Sequence, residues 1–194
     1  MNYFRVCFFV PFILVIAGCS GVHTINAEFP TPLVKPIERS AYLSITPEFS
    51  DYRFKEEEED RDNITIILGQ AHTNLFTSVI NSLFSEAGVS TEASDITLIP
   101  ELNTFQYALP NETGSGFYEI WLRYRLQALR PDGSEIADWL ITGYGRAAYG
   151  GPFSLAGTGM NEAAEEALRD VGTQLALGFT QQADIESWLN TEEP

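Results

Sequence analysis

Between Phe117 and Leu129 the chain alternates without a break. Tyr118, Ile120, Leu122, Tyr124, Leu126 and Ala128 fall on one side. Glu119, Arg123, Arg125 and Gln127 fall on the other, with Trp121 among them. A period of two belongs to a strand whose faces meet different surroundings. So long a run demands a sheet with an apolar layer on one face and water or a partner on the other. Arg130-Pro-Asp-Gly-Ser134 follows, a turn with Pro and Gly where a hairpin uses them. Glu135 to Tyr149 then returns as a second strand. Gly143 and Gly145 interrupt its pattern and predict a bulge or a close backbone approach.

Two segments have helical spacing. From Ala71 to Ala87, Leu75, Phe76, Val79, Ile80, Leu83 and Phe84 make one broad stripe, and Gly88 is placed to end the helix. Asn161 is placed to cap a second helix running to Phe179, buried through Ala164, Leu168, Val171, Leu175 and Phe179. Its Glu162, Glu165 and Glu166 lie near the positive end. A further turn from Ala183 to Leu189 would dock through Ile185, Trp188 and Leu189.

Shorter strands are expected at Ala41–Thr46 and at Asn63–Leu68, the latter β-branched enough for a sheet centre. Ile96–Ile99 and Phe105–Leu109 read as a strand pair or as one strand broken at Pro100. Lys55 to Asp62 is a solvated loop by composition, because a calcium loop spaces its carboxylates around a glycine. Gly150-Gly151-Pro152 and Gly157 to Gly159 flank another loop. Helices segregated to one face of a sheet is the economical solution for this order. The expected fold is α+β, two layers, with a mostly antiparallel sheet and two helices packed on one face.

The N-terminus carries a different kind of signal. Arg5 precedes an apolar run from Cys7 to Ala17, which ends at Ile16-Ala17-Gly18-Cys19. The run is shorter than the ~20 residues a membrane span needs. A polar, proline-bearing segment follows, as after a processing site. The four residues resemble the lipobox of bacterial lipoprotein precursors. That resemblance implies recognition of Ile16, Ala17 and Gly18 by a signal peptidase, cleavage before Cys19, and acylation of the Cys19 sulfur by diacylglycerol and of its new amino group. An ordinary secretory signal cleaved near Ala27 is the alternative. In Gram-negative lipoproteins an Asp after the cysteine favours inner-membrane retention, so Ser20 implies export to the outer membrane, facing the periplasm. Several acyl chains anchor firmly, at about 0.8 kcal/mol per buried CH₂.

The expected organisation is a signal peptide at 1–18, a lipidated cysteine and Pro-rich tether at 19–40, one α+β domain at 41–189 and a tail at 190–194. Cleavage removes Cys7 and lipidation occupies Cys19, so the domain is left with no thiol chemistry and no disulfide. The formal charge is −16. Phosphate backbones require clustered Lys and Arg, so nucleic acid is not an expected partner. Acidity of this kind reads as solubility. His23 falls in the tether and His72 at a helix start, a poor basis for a His-dependent triad or metal site. No nucleophile elbow, phosphate loop or dinucleotide fingerprint is present. No cofactor, metal or catalytic residue is expected.

In element order, Asn63 to Phe179 is similar to small envelope lipoproteins. They include the lipoprotein that plugs the lipopolysaccharide translocon and the auxiliary lipoproteins of lipid-transport ABC systems. The acidic loop departs from the plug, and its basic lipopolysaccharide contacts have no match here, so no functional residue carries over. The candidate partner-binding set is Trp121, Arg123 and Arg125, an aromatic-plus-Arg combination enriched at interfaces. The bland alternative is that a tail or loop covers Trp121 while the arginines neutralise nearby acids. The expected role is a non-enzymatic structural or assembly accessory that binds another envelope component. The alternatives are an auxiliary lipoprotein of a lipid-transport or export system that contacts an acyl ligand, and a carboxylate-dependent envelope hydrolase. A filled core with an exposed strip favours the first, an apolar pocket the second, and two buried converging carboxylates the third.

Overall fold

The computed structural model describes residues 21–56, 63–88, 90–150 and 158–191. Ile16 to Cys19, most of the acidic loop, the loop at 151–157 and the end of the tail lie outside the described residues. Five strands form the main sheet, in the order β5 (Phe84–Ala87), β2 (Ile37–Leu43), β6 (Ile96–Ala108), β7 (Phe117–Leu129) and β8 (Glu135–Ala148). β6, β7 and β8 are an antiparallel meander, whereas β2 runs parallel to both β5 and β6. A second sheet places β4 (Ile64–Ile67) between β1 (Gly21–Thr24) and β3 (Arg53–Lys55). The α+β expectation holds. The two parallel pairings and the second sheet were beyond what periodicity reveals, since pairing direction leaves no mark on a short strand.

β7 is the strand its alternation predicts. Ile120, Leu122, Tyr124, Leu126 and Ala128 are buried, while Trp121, Arg123 and Arg125 are exposed. Two helices cover the buried face, α2 (Gly69–Leu83) and α4 (Thr158–Gly178). Leu75 and Val79 of α2 meet Gly172 of α4, whose missing side chain lets the helices approach. The glycines of β8 serve the close-approach reading. A Cβ on Gly143 would overlap the Ala167 carbonyl and Val171, and one on Gly145 would overlap the Ala163 carbonyl and the Ala167 nitrogen. The α4 backbone therefore lies directly on β8.

Several expectations need correction. The stretch read as a tether is built into the domain. β1 pairs with β4 from Gly21↔Ile64 to Thr24↔Ile67, Ile25 and Ala27 are buried, and β2 begins at Ile37. Its prolines suppress periodicity, yet a strap can bury single side chains without any. The first long helix stops at Leu83, and Phe84 turns extended to begin β5 beside β2. Phe84 is buried either way, so the apolar stripe did not register the change. β6 is one strand through Pro100, with an irregularity between Leu102 and Thr104. β2 pairs only as far as Leu98, so Pro100 falls where β6 has become an edge, which tolerates proline. α4 begins before Asn161, which is therefore inside the helix instead of capping it. The final turn is a short helix, α5 (Ala183–Thr191), docked by Ile185 and Trp188.

Two polar devices hold the core in register. Asp95, just before β6, takes hydrogen bonds from the Ser40 nitrogen and hydroxyl at 2.7 Å each, while its own nitrogen donates to Ser40 Oγ at 3.0 Å. This latch ties the start of β6 to β2. The other device is His72. It stacks on Phe49 of the short α1 (Pro47–Ser50) with ring centroids 3.8 Å apart.

Candidate partner interface

The face of β6, β7 and β8 that points away from the helices carries the predicted set. Register places side chains in rows across it: Gln106, Trp121 and Tyr144; Thr104, Arg123 and Thr142; Glu101, Arg125 and Leu140. Alternation alone puts Trp121, Arg123 and Arg125 in line along β7. The hairpin then adds Tyr144 and Leu140 from β8, which the sequence did not single out.

Trp121 is 38% exposed and packs beside Tyr144, with ring centroids 5.5 Å apart. The Tyr144 hydroxyl donates to Glu119 at 2.6 Å, and that bond, with some burial, raises its pKa. α5 does not cover Trp121. Its own Trp188 is buried, with the Arg39 guanidinium 5.8 Å from that ring.

The two arginines differ. Arg125 donates from Nε to both oxygens of Asp138 at 2.9 and 3.0 Å, and from Nη2 to one of them. Glu101 lies 4.0 Å away. The bonds from Arg125 hold the Asp138 carboxyl below its ordinary range. Arg125 thus fits the neutralising alternative: its fork is already occupied, and exposed pairs of this kind stabilise little. Arg123 has no hydrogen bond or ion pair among the described residues, and threonines flank it on both neighbouring strands. It can offer its full donor set to a carboxylate or phosphate. Leu140, 55% exposed, extends the apolar surface beyond Arg125.

Beside this face, an open groove of about 360 Å³ runs between β8 and the end of α4, among Leu140, Leu177 and Gln181. Between the sheet and helices themselves, the space holds Phe76, Leu75, Val79, Tyr124 and Val171, all buried. The buried polar side chains among the described residues are Ser40, His72, Ser94 and Thr97, with no carboxylate. Nor do the described residues hold three His, Cys, Asp or Glu grouped as a metal would require.

His72 is strongly perturbed. Burial pulls its pKa down to about 4, against a bond to the Phe49 carbonyl that acts upward. Nε2 donates to that carbonyl, and Nδ1 takes the Tyr124 hydroxyl at 3.2 Å. Both ring nitrogens are satisfied and the ring is sealed, which suits a core strut better than a proton carrier. The sequence did carry a signal here: Tyr124, on the buried face of β7, needed a partner for its hydroxyl.

No family model matches the chain, and no curated protein matches it. Among solved structures it is similar to a "putative lipoprotein" from Caulobacter crescentus CB15, at 13% identity and a TM-score of 0.44, over 65% of this chain and 85% of that one. It is also similar to the hypothetical protein CT253 from Chlamydia trachomatis, at 10% identity and a TM-score of 0.35, over 73% and 97%. Among the described residues, no helix is long and apolar enough to cross a membrane.

Proposed function

We propose that this chain is a lipid-anchored envelope lipoprotein without catalytic activity, held at the outer membrane through Cys19 and facing the periplasm. In this reading it is a structural or assembly accessory that binds another envelope component with the outer face of β6–β8. The anchor is supported by Ile16-Ala17-Gly18-Cys19 after an apolar run too short to span. The binding role is supported by one observation above the others. Exposed Trp121, Arg123 with no partner among the described residues, and exposed Leu140 share the outer face of the meander, over a core that its own side chains occupy. Aromatic anchors beside an available guanidinium are the composition of interface hot spots. The occupied interior also makes acyl carriage the weaker alternative, and the lack of buried carboxylates among the described residues weakens the hydrolase.

The test is crosslinking in intact cells from a photoreactive residue at position 123. One dominant protein adduct is expected there, and none from exposed positions on α4 such as Thr173. Adducts from α4 with none from position 123 would reject this face as the interface.

A further inference from the structure

Resting on the lipoprotein reading, we infer that the domain sits directly on its bilayer, with the end that carries Phe117, Tyr118 and Tyr149 against zwitterionic phospholipid headgroups. The chain of contacts is short. Two Cα–Cα steps of ~3.8 Å separate Cys19 from Gly21, so the anchored residue lies within about 7.6 Å of the first paired one. The Gly21 nitrogen donates to the Asn63 carbonyl at 3.0 Å, and β1 continues along β4. On the other side of β4, the Glu56 nitrogen donates to the Ile64 carbonyl at 2.9 Å. Gly21, two residues after Cys19, therefore lies at the end of the β3–β4 hairpin where Glu56 leaves β3 and Asn63 enters β4.

That end is fixed to one end of the main sheet. The Tyr107 hydroxyl donates to Glu56, and the Phe54 ring packs on Phe105 and Tyr107, with centroids 4.8 and 5.6 Å apart. Tyr107 pairs with Ile120, and Ala108 with Glu119, at the start of β7. Phe117 pairs with Ala148 at the end of β8. The anchored end thus gathers Phe117, with the Arg146 guanidinium 4.9 Å from its ring, and Tyr118 beside a 52% exposed Tyr149. Tyr118 and Tyr149, apolar in the ring and polar at the hydroxyl, suit the level of the headgroups, and Phe117 adds an apolar ring. The chain between Glu56 and Asn63 holds five acids against one arginine, and both its ends are fixed here. Charge therefore works against an anionic surface, and the contact is one of rings with zwitterionic headgroups of no net charge. The Trp121 strip begins at this end, so its partner must be reachable close to the membrane.

The mature lipidated protein, with its acylated N-terminus established by mass spectrometry, would be placed in phosphatidylcholine vesicles containing a spin-labelled quencher lipid. Because lipid occupies the Cys19 thiol, Tyr149→Cys, Asn111→Cys and Asp132→Cys each offer a single site for a fluorophore. Asn111 lies in the short helix α3 (Pro110–Thr113) before β7, and Asp132 lies in the turn at the opposite end of the hairpin. Quenching at least twofold stronger at 149 and 111 than at 132 is expected, and weaker when half the lipid is phosphatidylglycerol. Equal quenching at all three sites in lipidated protein would overturn the docking while leaving the anchor intact. Quenching that strengthens with phosphatidylglycerol would overturn the choice of headgroup. An unmodified Cys19 would remove the lipoprotein reading itself.

Discussion

At the residue scale, His72 sets the pH response of the core. Its folded pKa is about 4, against 6.5 for a free imidazole, because a charged ring would have to sit in the apolar interior. Between those values the unfolded chain binds a proton that the folded chain refuses. Stability is therefore full near neutrality and falls as the pH drops from about 6.5 to about 4, with no further loss from this group below that. The shift corresponds to roughly 3 kcal/mol, and chemical denaturation across this range should show a loss of that order. Carboxylates add their own loss at the acid end, so the assignment rests on NMR. The His72 ring resonances should stay those of a neutral imidazole down to about pH 5. Titration near 6.5 would mean that the ring is not sealed. Removing only the Tyr124 hydroxyl, in Tyr124→Phe, leaves Nδ1 unsatisfied and should cost about 1–2 kcal/mol in urea unfolding. This pairing could be half anticipated, because a buried tyrosine needs a partner. It could not be assigned, because Tyr124 and His72 are distant in sequence.

At the scale of elements, the contact of α4 with β8 depends on what two residues lack. Gly143→Ala or Gly145→Ala would drive a methyl into the α4 backbone. Helix and strand would have to separate, at a cost of about 3 kcal/mol or more for such overpacking. Gly178→Ala is the control. Gly178 ends α4 with helical dihedrals and open space where the methyl would go, so the same change should stabilise by about 0.5 kcal/mol. Thermal unfolding of the three variants should separate them in opposite directions. Two acids of α4 also act on this strand. Asp170 accepts from the Tyr144 nitrogen at 3.0 Å, and Glu166 from the Arg146 nitrogen at 2.9 Å. Part of the outer edge of the sheet is thereby blunted against pairing with other chains. The double variant Glu166→Ala, Asp170→Ala should self-associate more strongly than the parent, with light scattering as the readout. From sequence Glu166 was assigned to the helix dipole, a reasonable assignment until β8 is known to lie alongside, and Asp170 was not singled out.

For the whole molecule, the N-terminal strap changes how the domain relates to the anchor proposed at Cys19. A free tether would leave stability indifferent to residues 21–24, whereas here they form an edge of the second sheet and shield β4. Deleting Gly21–Thr24 should lower the unfolding midpoint clearly. Inserting ten Gly and Ser residues between Ser20 and Gly21 should leave it unchanged, because the insertion precedes the first paired residue. Equal midpoints for the deletion and the parent would return the strap to the status of a linker.

By itself the sequence determined the resemblance of Ile16 to Cys19 to a lipobox, the long alternating strand with its exposed Trp121–Arg125 face, and the two helical stripes. Each is a local pattern, written within a few residues of itself. Tertiary structure alone decided that the proline-rich strap is part of the domain and that the middle of the chain splits between two sheets. It also decided that Arg123 stays available while Arg125 does not, and that His72 closes on Tyr124. Those outcomes depend on which distant segments meet, and a pairing between remote residues leaves no periodicity in either of them.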